Sequence, residues 1–445
     1  MGIPVFRGTF GPAQAERLLW RAGFGPRRGD VARTAKLGLA GAVRSLTRPG
    51  TETLVGPEPH DEKGNPLAPF DAWGHDHLWW LDRMVRTTTP LVERMTLIWH
   101  DWFATSNDQV GSQELMIDQN NLFRSKALGN FSDLLLSVTQ DPAMLIWLNG
   151  IENRKGAPNE NYGRELMELF TLGADRPGGY TEDDVREQAR SFTGFRADWS
   201  DSLGRYTNFR FDPKRHDTGT KTVFGKTGTF DYTDSCKLVL QHPNHASFFV
   251  GKLWSYFVPA APDTATMNAL CAMYAASYEV QPVVEAILMH PAVYTGPAMV
   301  KPPVVYNAGL LRALGRGIDT SDWVWLGDEA GQRLFYPPNV AGWDDTRWLD
   351  TATFRGRWDI ANYAFMTTSR SEKARVPRTA AKLYAAALAS SGSPHVSAGT
   401  DKLLRAYVSA ALADAKETWE QEQYPPLIFN ALRQLVAVTP DFQTS

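Results

Sequence analysis

Thr89-Pro90-Leu91-Val92-Glu93-Arg94-Met95-Thr96-Leu97-Ile98-Trp99-His100-Asp101-Trp102-Phe103-Ala104 is the stretch on which the fold turns. Leu91, Met95, Ile98, Trp99 and Trp102 recur at three- and four-residue intervals, which places them along one side of a helix. The same periodicity extends both ways. Residues 13–22 carry Leu18, Leu19, Trp20 and Ala22 and stop at Gly23-Phe24-Gly25-Pro26. Residues 28–48 read as two short helices broken at Gly38, and 71–86 as another helix. Residues 50–70, rich in Pro, Gly and charge, read as a surface loop. Downstream, helices are expected over 110–127 and over 130–148 with a boundary at Asp141-Pro142. A further helix is expected over 159–173, ending at Gly173 in a left-handed cap. Thr181, with Asp184 three residues on, caps the next one.

One region departs from this pattern. Residues 200–233 alternate aromatic and polar side chains (Tyr206, Phe209, Phe211), and Thr220 to Phe224 precede Gly225. This predicts a small β-hairpin or extended insertion near 204–226. Helices resume through 234–315. Residues 317–358, rich in Trp, Gly and Pro, show little period, and the chain from about 360 is helical again with a break near 391–394. The expected fold class is mainly α, a multi-layer helical bundle-like globule, with no internal repeat.

Composition narrows the function classes. The 445 residues are 43% hydrophobic and 21% charged, enough apolar material for a large core. A net charge of −3 argues against nucleic acid as a partner, since phosphate binding needs clustered positive charge. The short pairs Arg27-Arg28 and Arg154-Lys155 read as solvated surface. Cys236 and Cys271 permit at most one disulfide and no multi-thiolate zinc site. No apolar run approaches the length of a membrane span. The amino terminus lacks a charged segment followed by an apolar one, which predicts a cytoplasmic location, or export bound to a partner that carries a leader. Met1-Gly2 opens like a myristoylation signal, but Phe6 stands where that signal takes Ser or Thr.

Two motif-like stretches fail on their own terms. In Gly219-Thr-Lys-Thr-Val-Phe-Gly225-Lys226-Thr227 five residues separate the glycines, where a phosphate loop needs four, and no apolar helix follows. Asp183-Asp184-Val185-Arg186-Glu187 imitates an aspartate-rich metal motif, but acidic residues just after a Thr cap offset the helix dipole.

Four polar groups remain as candidates. Residues 158–173 read Pro-Asn-Glu-Asn-Tyr-Gly-Arg-Glu-Leu-Met-Glu-Leu-Phe-Thr-Leu-Gly. Glu165 and Glu168, three apart, share one side of a helix. Glu160 is off that side unless the first turn is irregular, and Arg164 between them can hold one carboxylate ionised. Such a cluster supplies a general acid and a general base, or binds a metal; the plainer reading is ordinary ion pairing. Asn161 and Arg164 are candidate binding residues beside it. His216-Asp217, with Lys221, forms the second group: the pair orients an imidazole for proton transfer, or Asp217 makes a local turn. The third is His100-Asp101, near a helix C-terminus, where His100 also reads as a plain favourable contact with the helix dipole. The fourth is Tyr336-Pro337-Pro338-Asn339-Val340-Ala341-Gly342-Trp343, in which Asn339 and Trp343 are candidate binding residues; Trp343 either stacks on a sugar ring or belongs to the core.

These landmarks, in order, resemble the bacterial family called domain of unknown function 1800. They include Leu18-Leu19-Trp20-Arg21-Ala22-Gly23-Phe24-Gly25, Glu93-Arg94-Met95 through His100, and Asn153-Arg154-Lys155-Gly156-Ala157-Pro158-Asn159-Glu160-Asn161. Arg164-Glu165-Leu166-Met167-Glu168-Leu169, Gly179-Tyr180-Thr181-Glu182-Asp183-Asp184-Val185, His216-Asp217, Lys252-Leu253-Trp254 and Pro337-Pro338-Asn339-Val340-Ala341-Gly342-Trp343 continue the set. The resemblance covers about residues 15 to 360. It implies a family-like helical domain over 1–360 with its loop insertions, and C-terminal helices over 361–445 packed on it. Relatives are often encoded beside members of the domain of unknown function 1501 family, which resemble sulfatases and alkaline phosphatases; this implies a partner of that kind. Many relatives carry a second His where this chain has Trp102.

Three functions are therefore expected side by side. One is a hydrolase acting on a glycan or similar polar polymer, polysaccharide or small polar substrate, through Glu160, Glu165 and Glu168 with His216-Asp217 opposite. A second is a non-catalytic helical partner or assembly factor for a secreted sulfatase- or phosphatase-like protein. The third is a carboxylate–His metalloprotein in which His100, Glu165 and His216 converge. The residues leave any cofactor open.

Overall fold

The helix Pro90–Trp102 lies between two apolar cores in the computed structural model, which describes residues 2–366 and 376–445. Met1 and the part of the expected C-terminal helices at 367–375 fall outside the described residues. Leu91, Met95, Ile98, Trp99 and Trp102 join one core with Phe131, Phe170, Phe249 and Tyr274. Leu97 points the other way, into a second core with Trp80, Tyr306, Trp323, Phe335 and Trp343. The sequence predicts one apolar stripe. The helix is instead buried almost all round, and Glu93, Arg94, Thr96 and His100 go inside with it. A polar group placed there needs a partner from the protein or from water. Glu93 has several: Trp80 Nε1 donates to it at 3.1 Å, Arg124 Nη2 at 3.2 Å, and Arg83 lies 3.5 Å away.

Local signals place most other boundaries. Gly38 opens the second of the two short helices, Asp30–Lys36 and Gly38–Thr47. Asp141 caps Pro142–Trp147 by accepting the Met144 N–H at 2.9 Å, so the expected helix over 130–148 is two, Phe131–Thr139 and Pro142–Trp147. Thr181 and Asp184 cap Glu182–Ser191 reciprocally. Residues 351–366 form a helix that sequence period did not reveal. It runs across residue 360 and buries Ile360, Ala361, Ala364 and Phe365 in the second core.

A third core ties together the helices Ala380–Ser390, Ala398–Ala413 and Thr418–Val438 through Leu383, Tyr384, Leu404, Leu432 and Val436. The chain then returns to the body, where the Phe442 ring meets Trp20 edge-on with centroids 5.6 Å apart.

The extended insertion is present and wider than read from sequence. Strand β1 (Phe195–Ser200) pairs antiparallel with β2 (Arg205–Phe211), and β3 (Lys221–Val223) with β4 (Lys226–Gly228). The chain leaves the preceding helix at Gly194, whose φ is +121°. A Cβ there would stand 2.6 Å from the Phe211 ring, so glycine permits both the turn and the close packing of β1 on β2. The phosphate-loop imitation is the β3–β4 hairpin. No described helix is long and apolar enough to cross a membrane, and Cys236 and Cys271 are both free.

Candidate active site and the family landmarks

Residues 159–173 are not one regular helix. Asn161–Glu165 is α-helical, and Leu166–Thr171 widens into a π-turn in which the Leu172 N–H reaches back five residues to the Met167 carbonyl at 2.8 Å. Side chains from elsewhere take the carbonyls that follow. Lys252 Nζ donates to Leu169 O at 3.1 Å, Trp102 Nε1 to Phe170 O at 3.0 Å, and His245 Nδ1 to Thr171 O at 2.9 Å. A carbonyl only accepts, so Nδ1 of His245 carries the proton and Nε2 accepts from the Tyr274 hydroxyl at 2.8 Å. Gly173 ends the segment with φ +88°, as its position predicts. Single π-turns inside helices recur at functional sites.

A cleft of about 290 Å³ opens beside this turn, lined by Arg164, Glu168, Asp175, Arg176, Tyr180 and Glu182 among others. The Tyr180 hydroxyl donates to Glu168 Oε2 at 3.4 Å. Burial and the neighbouring Glu168 push the Tyr180 phenol up to about 12. Arg164 holds Glu182 through two bonds of 2.8 and 2.9 Å, and Glu160 through one of 3.1 Å. That pairing keeps Glu182 below the usual carboxylate range. Arg164 therefore serves Glu160 and Glu182 rather than Glu165. Glu165 is half-buried, and burial first, then the charge of Glu168, raises its pKa. Asn161 is exposed and donates to Asn149 Oδ1 at 3.0 Å, closing the loop before the helix. Tyr180 and Glu182 were not singled out by the sequence as site residues. The acidic run beginning at Glu182 has a sufficient local explanation in the helix dipole, which hides its second role.

His216 and Asp217 stand elsewhere. His216 is buried and its Nδ1 donates to Thr193 O at 2.8 Å. Asp217 accepts Arg190 Nε and the Gly219 N–H, each at 2.8 Å. Arg190 holds it at about 2. Lys221 is buried and spends its ammonium on the carbonyls of Asp217 and Gly219. All three lie where the insertion meets the C-terminal end of Glu182–Ser191, whereas Arg164 grips the N-terminal end of that helix. Residues 182 and 190 are on the order of 12 Å apart along the axis at 1.5 Å per residue. Among the described residues no hydrogen bond or ion pair joins the two groups, which hold opposite ends of that helix.

His100 is enclosed by four aromatic rings, Trp80, Phe123, Phe335 and Trp343, at centroid distances of 5.2 to 6.3 Å. Burial lowers its pKa to about 3, so the ring is neutral. Trp343 is buried, and Asn339 forms an exposed turn by accepting the Ala341 N–H at 2.8 Å. What joins this loop to the central helix is Asp101, which accepts the Tyr256 hydroxyl at 2.7 Å and the Trp343 N–H at 2.8 Å. The approach requires glycine at 342. Its φ is +92°, and a Cβ would stand 2.3 Å from Asp101 Oδ1. Among the described residues no three His, Cys, Asp or Glu side chains are placed to hold one metal ion, and His100, Glu165 and His216 stay apart.

The landmarks thus meet in space. The central helix, the π-turn, the Lys252-Leu253-Trp254 stretch and the loop ending at Trp343 are bonded to one another through Trp102, Lys252 and Asp101. The family model described as protein of unknown function (DUF1800) matches residues 17–444. The chain belongs to this family. The match runs past the last landmark legible in the sequence, near 360, and takes in the C-terminal helices, so these are part of the DUF1800 fold as its model defines it. No curated protein and no solved structure matches the chain. In this DUF1800 member Trp102 acts as a hydrogen-bond donor to the π-turn.

Proposed function

We propose that this protein is a hydrolase acting on a glycan or similar polar polymer, and that it works at the cleft beside the π-turn. One observation carries the reading: two carboxylates three residues apart differ in environment. Glu168 lines the cleft, and Glu165 beside it is half-buried and raised in pKa by burial and by Glu168 itself. Neighbouring carboxylates pushed apart in acidity are the usual arrangement for acid–base hydrolysis. Glu165 would give its proton to the departing oxygen while Glu168 takes one from the attacking water. Arg164, Arg176 and Asp175 at the rim offer donors and acceptors to hydroxyl-rich substrates. His216-Asp217 is left with a local role, anchoring the insertion to Thr193 and Arg190.

The test is release of reducing ends from a panel of purified polysaccharides by the full chain and by Glu165→Gln and Glu168→Gln. Activity in the wild type that both variants retain in full would sink the proposal.

A second reading, an assembly partner for a DUF1501-type protein, is favoured by a different observation. Phe70, Trp73 and Trp325 are each about half exposed (53%, 50% and 52%), and the two indoles lie 4.7 Å apart. Exposed aromatic clusters of this kind mark interaction surfaces. Co-expression with such a partner, followed by size-exclusion chromatography, tests it; a complex that survives Trp73→Ser/Trp325→Ser would exclude this surface.

A further inference from the structure

A second cleft, of about 720 Å³, opens where the helices Ala380–Ser390 and Thr418–Val438 lean on the helices His75–Arg86 and Pro303–Leu314. That volume lies within the range of small-molecule sites. Val85, Leu311, Leu314, Ala386 and Phe429 give it apolar walls, and among the described residues six arginines and no acidic residue line it. Three of the six are accounted for. Arg86 bonds Glu58 and Asp82, Arg316 bonds Asp319, and Arg433 bonds the Phe365 carbonyl and Asn430.

The guanidiniums of the other three bond no carboxylate among the described residues. Arg312 is buried, and its Nε and Nη1 donate to the carbonyls of Gly25, Met84 and Val85 at 3.1 Å. Its Nη2 makes no hydrogen bond among the described residues. Arg27 Nη2 donates to the Val85 and Thr87 carbonyls at 2.9 and 3.0 Å. Both guanidiniums thus sit on the C-terminal end of the helix His75–Arg86. Such an end is worth about half a negative charge, and two whole positive charges face it. The nearest carboxylate that acts on both, Asp30, is already tied to Arg33. Arg28, exposed at the rim, has neither hydrogen bond nor ion pair among the described residues. Among the described residues none of these three guanidiniums bonds a carboxylate, and they border an apolar hollow, an arrangement that suits an anion.

We propose that this cleft binds an amphipathic anion, an apolar chain or ring body bearing one carboxylate or phosphate. The head would sit at Arg27, Arg28 and Arg312, and the body along Leu311, Leu314 and Phe429. Burial, and next the like charge of Arg27, lower Arg312 to about 9, a repulsion that a bound anion relieves. Helix-end capping alone explains why Arg27 and Arg312 are present. It does not explain Arg28, or why the described residues line the cleft with six arginines and no carboxylate. The site is independent of the acidic cleft and of the hydrolase reading.

The experiment is calorimetric titration of the full chain with dodecanoate and with dodecyl phosphate below their micelle concentrations. Dodecanol supplies the body without charge, and inorganic phosphate supplies charge without the body. The expected result is one anion per chain, at least tenfold tighter than dodecanol or phosphate, with the tighter of the two heads identifying carboxylate or phosphate. Arg28→Glu touches no partner and is expected to weaken the anions about tenfold while leaving dodecanol unchanged. Ala389→Trp, which fills the hollow from an exposed position, is expected to abolish binding with circular dichroism unchanged. No binding of either anion, dodecanol binding as tightly as dodecanoate, or affinity unaltered in both variants would each overturn the proposal.

Discussion

The two clefts are built from the same charged side chains in opposite ways. The acidic cleft takes the residues discussed here from Arg164 to Glu182; Arg164 is spent on the carboxylates of Glu160 and Glu182, and Arg176 on the Leu172 and Asn244 carbonyls. The arginine cleft gathers residues from Arg27 to Arg433, and its innermost guanidiniums are spent on backbone carbonyls. A site assembled from one local stretch announces itself in the order of residues. A site assembled from four helices far apart in the chain does not, since Arg27-Arg28 in isolation is merely a basic pair. The pair reads as solvated surface, yet only Arg28 is; Arg27 is half-buried against the end of another helix.

The largest expected effect tests whether the acidic cleft is the working one. Glu168→Gln should lower polysaccharide hydrolysis by about 10² to 10⁴-fold, the usual worth of a positioned acid or base. Arg28→Glu in the other cleft should leave that rate unchanged. If the two variants exchange effects, the assignment of chemistry to one cleft and binding to the other is wrong.

Next comes the energetic contrast between the arginines. Arg312→Met strands buried carbonyls and should cost about 3 kcal/mol in urea unfolding. Arg164→Met loses exposed ion pairs and should cost at most about 1 kcal/mol. Equal costs would mean that the carbonyl-bound guanidinium is no more structural than the ion-paired one.

The third contrast is pH. Glu165 must hold its proton to act as an acid, and its raised pKa keeps the proton to higher pH than an ordinary carboxyl does. Hydrolysis should therefore fall as pH rises through that pKa, by about tenfold per unit beyond it. Dodecanoate binding at the arginine cleft should stay flat between pH 6 and 8, where neither guanidinium nor carboxylate titrates appreciably. A rate that rises across the same range would assign the proton donor elsewhere.

The smallest effect concerns Tyr180, whose hydroxyl donates to Glu168. Tyr180→Phe removes one hydrogen bond, about 1 kcal/mol, and should change the rate roughly fivefold. A loss as large as that of Glu168→Gln would make the phenol itself a reacting group.

How much was legible follows the same division. Helix periodicity and caps were local, so the Pro90–Trp102 helix, the break at Gly38, the Asp141 and Thr181 caps and the Gly173 terminus were all readable. The Glu165–Glu168 adjacency was readable too. The π-turn was not, because it depends on Trp102, Lys252 and His245, which arrive from other helices to take its carbonyls. The separation of His216-Asp217 from the glutamates was hidden for a related reason. Both groups contact Glu182–Ser191, but at opposite ends of it, and chain order says nothing about which end. The burial of His100 came from a second core formed largely by residues beyond 300, again invisible from the stripe alone.

The widened turn at Leu166–Thr171 also sets a rule for how this segment can change over time. A helix advances about 100° per residue. Removing one residue between Arg164 and Glu168, and so restoring a regular winding, would rotate everything after the cut by about that angle. Glu168 would swing away from Tyr180 while Arg164 kept its grip on Glu182, and the three carbonyls would lose their donors together. An insertion or deletion here should therefore disturb the fold more than a single substitution does.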